Sequence, residues 1–380
     1  MKIALVSPYD FAYPGGVTNH VSCLAREFDS RGHTVKVLAP CSTDPSGPDG
    51  IEVVKCGRPV PVPSAGSVAR VSLSLWLNPK IKSVLQNEHF DVVHVHEPFM
   101  PMVPLAAVYH SPAPTIATFH AFNEHTRRYW MWKPLLSRIA KQLDGRIAVS
   151  PAARDYVSHH YPGDYKIIPN GVDVTPLQMS DPPFKELDDG RINILFVGRM
   201  EKRKGLRYLL GAYSTLKWEF PDLRLIVVGP GRMDSDTARM FGERNVKDVI
   251  ITGSVSEKDK ARYFSSAHIF CSPATGLESF GMVLIEAMAT GKPIVASDIG
   301  GYSSVVTHGK QGLLVEPRNE SALAEALRAL IENPAQRVSM GNEGLKAAEQ
   351  YRWNRVADRV MAYYDTVLNR VAGHQAVVTI

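Results

Sequence analysis

Two glutamates stand eight residues apart in the stretch CSPATGLESFGMVLIEAMATGKPIVAS, Cys271 to Ser297. Glu278 lies in a glycine-containing loop. Glu286 sits among Val283, Leu284, Ile285, Ala287 and Met288, where an unpaired carboxylate is costly. Eight positions on a helix differ by about 80° and by roughly 12 Å along the axis, so the two carboxylates cannot share one metal or one proton. A helix starting near Phe280-Gly281 separates their roles. Glu278 then precedes it and can turn toward a ligand at the helix N-terminus, while Glu286 looks out from the flank. The N–H groups of Gly281, Met282 and Val283 would suit a phosphate, and Glu278 would suit sugar hydroxyls. For Glu286 the residues alone leave an exposed side chain or a buried ion pair open beside a ligand role. Val283, Leu284, Ala287 and Met288 are expected to pack inward.

A second candidate is GRMEKRKG, Gly198 to Gly205, where Arg199, Lys202, Arg203 and Lys204 follow a strand-like run. A departing diphosphate needs such charge. Arginine offers a two-pronged donor and lysine a point charge. A third is PYDFAYPGGV, Pro8 to Val17, in which Gly15-Gly16 lets backbone approach a ligand just ahead of a helix. In VHVHEP, His94 and His96 share one strand face beside Glu97. No third ligand at metal-site spacing accompanies them, so packing or a strand-end role is the expectation.

These motifs need a scaffold that brings strand ends together. At 380 residues, with 44% hydrophobic and 21% charged residues, the chain is sized for two globular domains. Short β-branched runs alternate with helical stretches: KIALVSPYD, a helix through about Val17–Arg31, HTVKVLAP, VVHVHEP, TIATFH and GRIAVSP. A polar stretch with Pro176, Pro182 and Pro183 reads as a linker. A second series runs through INILFVGR, LRLIVVGPG, DVIITGS, HIFCSP, KPIVAS and GLLVEP, and ends in helices with a long amphipathic segment from Trp353. The expectation is α/β: two Rossmann-like, doubly wound parallel-sheet domains, residues 1–175 and 176–352, facing a central cleft, with ligands at strand C-termini.

The net charge of +5 is modest. Residues 1–170 hold 17 Lys/Arg against 13 Asp/Glu, and the remainder 26 against 25. This excludes a nucleic-acid footprint, but would favour an anionic membrane under the first half. Cys23, Cys41, Cys56 and Cys271 show no C-x-x-C spacing and suggest buried thiols in a reducing cytosol. No run reaches the roughly 18 apolar residues of a membrane span, and no signal peptide is apparent. A cytoplasmic protein, peripheral at the inner face of the cell membrane, is expected.

Together, the early Gly-Gly loop, the GRMEKRKG segment and ESFGMVLIEAMATGKPIVASDIGG resemble retaining glycosyltransferases of family 4, with the GT-B fold. The pieces PYDFAYPGGVTNHV, PVPSAGSVAR, DVVHVHEPFMP, IATFHAF, GRIAVS and IPNGVDV are most similar to those of bacterial phosphatidylinositol α-mannosyltransferases. The chain departs from them at Ser64-Ala65, in keeping only Lys80 and Lys82 of a lysine-rich helix, and in Ala121-Phe122-Asn123-Glu124 after His120.

The resemblance implies a nucleotide-sugar donor, GDP-mannose, with Arg199 and Lys204 on the diphosphate, Arg203 beside them and Gly15 and Gly16 near the donor phosphate. It implies Glu278 and His120 on the sugar and Glu286 on the ribose. Phe280, Gly281, Met282 and Val283 lie along the donor. Val255 and Glu257 lie at the base, where Glu257 could accept from guanine N1 and N2 hydrogens. Tyr9 and Arg70 fall on the lipid headgroup acceptor, phosphatidylinositol. No tightly bound cofactor and no metal held by an Asp-x-Asp motif is implied, and the final helix is expected to cross back to the first domain. HTRRYWMWKP, with Arg127, Arg128, Tyr129, Trp130, Trp132 and Lys133, has a composition suited to a membrane headgroup zone or to domain packing. A UDP-sugar transferase acting on a soluble or polysaccharide acceptor is the alternative on the same fold, and a non-catalytic scaffold a more distant one. The missing G-x-G-x-x-G argues against a dehydrogenase.

Overall fold

The computed structural model describes all residues except 14, 44–49, 65–66, 75, 121–133, 135, 179–181, 245 and 379–380, with backbone only at 63, 64, 67, 178 and 375–378. The chain divides into two compact units, Met1–Gly171 with Trp353–Ile380, and Val172–Arg352.

In the first unit, β1 (Lys2–Val6), β2 (Thr34–Ala39), β3 (Glu52–Lys55), β6 (Val92–His96), β7 (Thr115–Phe119), β8 (Gly145–Ala148) and β9 (Lys166–Ile167) form one parallel sheet in the order β3-β2-β1-β6-β7-β8-β9. The strands are continuous apolar runs because both faces are covered. On β1, Ile3 and Leu5 join one core with Val21, Leu24 and Phe28 of the helix Gly16–Ser30. Ala4 and Val6 face the other way, toward Ile81 and Leu85 of Leu77–Asn87 and Ala107 of Val103–His110. The helix Trp353–Val378 completes the first of these cores with Trp353, Val356, Val360, Tyr364 and Val367.

A separate hairpin, β4 (Val60–Ser64) and β5 (Ser67–Val71), pairs antiparallel. Its first strand carries Pro61 and Pro63, which lack ladder donors and so suit a two-stranded edge ribbon better than a central position.

The second unit holds β10 (Ile192–Val197), β11 (Leu223–Val228), β12 (Val249–Gly253), β13 (Ile269–Ser272), β14 (Ile294–Ser297) and β15 (Gly312–Val315), all parallel, in the order β12-β11-β10-β13-β14-β15. Ile194, Phe196 and Val227 bury against Leu209 and Tyr213 of Leu206–Glu219 and Leu323 and Leu327 of Glu320–Glu332. The stretch read as a linker contains the short helix Val174–Gln178, with Pro176 inside it, packed on Glu257–Ser266 and Met282–Ala289.

Strand order reverses direction at β1/β6 in the first unit and at β10/β13 in the second. Crevices outside the C-terminal ends of such strand pairs are where open α/β sheets bind ligands.

Candidate functional site

At the β10/β13 switch point, β10 ends and the chain makes a short 3-10 turn, Lys202–Lys204, before the helix Leu206–Glu219. Gly205 closes that turn at φ +73°, and a Cβ there would come within 1.8 Å of the Pro273 carbonyl oxygen, so only glycine lets the loops after β10 and β13 meet. Thr275 ties them further, donating its N–H to the Arg203 carbonyl at 2.8 Å.

The meeting puts cations on Glu278. Arg203 Nη1 lies 2.5 Å and Lys204 Nζ 2.6 Å from Glu278 Oε1, and Arg203 Nε donates to Glu201 at 2.8 Å. Arg199 stands more open, about half exposed, with Nη1 3.6 Å from Glu201. Lys202 points elsewhere, toward Asp234 and Asp236 at 3.8 and 3.6 Å. That pair has Asp-x-Asp spacing, but Asp234 caps the helix Ser235–Glu243 through the Thr237 N–H.

Glu278 precedes the helix Met282–Ala289, whose N-cap is Gly281 at φ +84° with no side-chain cap. A Cβ on Gly281 would come within 2.7 Å of the Tyr302 ring. Phe280 turns inward, its buried ring 5.9 Å from that of Tyr351, so its share in a ligand site falls to its backbone. Met282 and Val283 are half-buried. Val283 therefore does not join the packed set; Ile285 does, with Leu284, Ala287 and Met288.

Glu286 is largely buried, and its Oε1 accepts from Lys260 Nζ at 3.0 Å. Its Oε2 is buried with no hydrogen-bond partner among the described residues. Burial pushes this carboxyl above the usual carboxylate range, although Lys260 pulls it down. Lys260 also meets Glu257 at 2.6 Å. Burial pushes Lys260 down, but the two carboxylates outweigh it and its pKa ends above the ordinary value. Glu257 opens the helix Glu257–Ser266, capped by Ser256, and its side chain is exposed. Val255, half-buried, lies in the connection after β12. Sequence reasoning missed Lys260. Its position three residues after Glu257 on a helix was the available signal.

The β1/β6 switch point gathers the first unit's candidates. Gly15 is the N-cap of Gly16–Ser30, again without a side-chain cap, and nothing described lies within 4 Å of a Cβ built on Gly16. Tyr9, half-buried, makes a β-bridge to Val71, and the Asp10 N–H donates to the Arg70 carbonyl at 2.9 Å. The loop after β1 thus lies along β5, with the Arg70 guanidinium 4.3 Å from the Tyr13 ring centre. Burial, then the nearby Glu97 carboxylate, raises the Tyr9 phenol above its ordinary value.

His120 follows β7 and is buried, its backbone N–H donating to Glu97 Oε1 at 2.6 Å. Glu97 sits at the end of β6 with φ +51°, a backbone conformation uncommon for this residue type. The expectation that no further ligand-type residue joins His94 and His96 does not hold. His96 Nδ1 lies 3.0 Å from His120 Nε2, and His20, from the helix Gly16–Ser30, sets its ring 5.2 Å from that of His96 and 4.8 Å from that of His120. His94 turns away to Tyr364 and Thr118, each at 2.6 Å. Burial lowers all four imidazoles, His20 to about 4 and His94 to about 3, and keeps them neutral.

All four cysteines are buried and none is in a disulfide bond. No described helix is long and apolar enough to cross a membrane. Residues 121–133, which hold HTRRYWMWK and the four residues before it, lie outside the described residues.

Both units of the chain correspond to known families. Residues 180–347 match the family described as Glycosyl transferases group 1, and residues 14–175 the one described as Glycosyltransferase Family 4. The phosphatidyl-myo-inositol mannosyltransferase of Mycobacterium leprae is 38% identical, over 97% of each chain. A D-inositol 3-phosphate glycosyltransferase of Pseudarthrobacter chlorophenolicus is 33% identical over 59% of this chain and 56% of its own. The solved sucrose-phosphate synthase of Thermosynechococcus elongatus superimposes with a TM-score of 0.76 at 23% identity, covering 97% of this chain and 99% of that one, a likeness of fold. The chain belongs to the family 4 glycosyltransferases, has their GT-B fold, and is a glycosyltransferase.

Proposed function

We propose that this glycosyltransferase moves a mannosyl unit from GDP-mannose to the inositol of a phosphatidylinositol-like lipid at the cytoplasmic membrane face, keeping the α configuration. The observation that carries the donor half is Glu286. It is a mostly buried carboxylate with one oxygen on Lys260 and the other without a partner among the described residues. A ribose diol supplies the donors that oxygen lacks, and burial makes leaving it unpaired costly. Arg199, Lys204 and Arg203 neutralise the diphosphate as the glycosidic bond ionises, with the uncapped helix starts at Gly16 and Gly281 adding N–H donors. Glu278 orients the sugar through its hydroxyls, released by Arg203 and Lys204 as these turn to phosphate. His120 holds the sugar from the first unit, Val255 and Glu257 lie toward the guanine, and Tyr9 and Arg70 take the headgroup.

Neither carboxylate serves as a nucleophile in this reading. The leaving phosphate takes the proton of the attacking hydroxyl on the same face. No protein-held metal enters any of these steps. The acceptor half leans on the relatives: a phosphatidyl-myo-inositol and a D-inositol 3-phosphate both carry an inositol with a phosphate.

Calorimetry with GDP, GDP-mannose, UDP and UDP-glucose tests the donor. Tight binding confined to the guanine nucleotides is expected, and tight binding of UDP-glucose alone replaces the donor with a UDP-sugar.

A further inference from the structure

The three imidazoles of His20, His96 and His120 are more than packing. Each offers a nitrogen, and these nitrogens all lie within 4.8 Å of one another. Tetrahedral coordination at about 2.0–2.1 Å spaces ligand nitrogens by roughly 3.3 Å, against the 3.0 Å between His96 Nδ1 and His120 Nε2 and the 4.8 Å limit for the set. The rings come from three elements: the helix Gly16–Ser30, the end of β6 and the residue after β7. Sheet register rather than chain proximity therefore brings them together. Two neighbouring polar atoms, His20 Nδ1 and Asn170 Oδ1, are buried and make no hydrogen bond of good geometry among the described residues. Unpaired polar atoms cost stability in every unliganded molecule. The Asn170 side chain interacts with both His20 and His120. Glu97 meanwhile fixes the His120 backbone at 2.6 Å, the kind of outer support that holds a ligating ring in place.

We propose that His20, His96 and His120 form a binding site for a zinc-class divalent cation, with a fourth position open to water beside Asn170. Three imidazoles and an open position suit zinc, cobalt or copper and not the oxygen-seeking magnesium or calcium. On loading, the proton shared between His96 Nδ1 and His120 Nε2 passes to the far nitrogen of its own ring, and both inner nitrogens turn to the metal. A loaded site withdraws His120 from the donor sugar, so metal and transfer exclude each other. This consequence rests on the donor assignment of His120, while binding itself does not.

The test is a Co2+ titration of the full-length protein followed by visible absorption, with Zn2+ as competitor. One equivalent of Co2+ should give intense ligand-field bands that Zn2+ abolishes. His20→Ala and His96→Gln, checked for folding by circular dichroism, should each weaken binding by at least the roughly 10–100-fold that loss of even an outer-shell partner costs. Absence of the bands, or bands of equal strength and affinity in wild type and both folded variants, overturns the site. Transfer assayed with and without Zn2+ separates the two readings. Inhibition relieved by a chelator supports both, and Co2+ binding without inhibition keeps the metal site but removes His120 from the sugar.

Discussion

A single carboxylate oxygen, Glu286 Oε2, is where chemistry at the residue scale is most exposed to test. An ion pair explains why Lys260 is there, but not why the second oxygen stays buried with no hydrogen-bond partner among the described residues. Because burial raises its pKa, Glu286 takes up a proton on acidification before ordinary carboxylates do. The protonated form presents one fewer acceptor to a ribose. Affinity for GDP should therefore fall on mild acidification, before ordinary carboxylates titrate, and Glu286→Gln should bind weakly with that pH dependence removed. Calorimetry across pH reads both, and a flat wild-type profile contradicts the ribose role. Glu278→Ala and Arg199→Ala should each lower turnover by well over tenfold while the protein stays folded, in line with the roughly 10²–10³ lost with one charge-stabilising donor elsewhere. At this scale the sequence displayed the groups it spaces along one segment: Glu278, Glu286, and Arg199 with Lys204. It did not display Lys260 or His20, whose meaning comes from neighbours distant in the chain.

Elements carry these residues by the close approach of their loops. Gly205 shows the tolerance involved: an alanine there adds a left-handed residue, costing about 1–2 kcal/mol, and a Cβ against the Pro273 carbonyl. Gly205→Ala should lower the urea midpoint of the second unit and weaken nucleotide binding together, because the same contact holds Glu278 beside Lys204. Normal stability and affinity in that variant would show the loops are not interlocked. Strands with continuous β-branched runs, such as VVHVH and INILFV, were legible because burial on both faces leaves little room for polar residues. The strand Glu52–Lys55 and the hairpin around Pro61 and Pro63 were not. Four residues give too short a pattern, and proline reads as a break unless the ribbon is known to be two-stranded. Pro176 misled the same way, sitting in a short helix where a linker was read.

For the whole molecule, chain order and spatial order part company at the end. The helix Trp353–Val378 belongs to the first unit, with Trp353 covering Gly171 and His20 and Tyr364 bonded to His94. Trp353→Ala should cost the first unit about 3–5 kcal/mol. Nucleotide binding by the second unit should stay unchanged, as calorimetry beside thermal unfolding would show. A parallel loss of nucleotide binding would mean that the second unit depends on that helix. The paired α/β series was legible from alternating runs, and the family resemblance carried by three motifs implied the GT-B fold. The histidine cluster was not, since its members lie 76 and 24 residues apart and meet only through sheet order. The central claim joins a guanine-nucleotide sugar to an inositol lipid. It is tested most directly by incubating the protein with radiolabelled GDP-mannose and a lipid extract, with and without added phosphatidylinositol. The account predicts label in the organic phase that increases with phosphatidylinositol and disappears with Glu278→Ala. Label confined to the aqueous phase, or transfer only from a UDP-sugar, would contradict it.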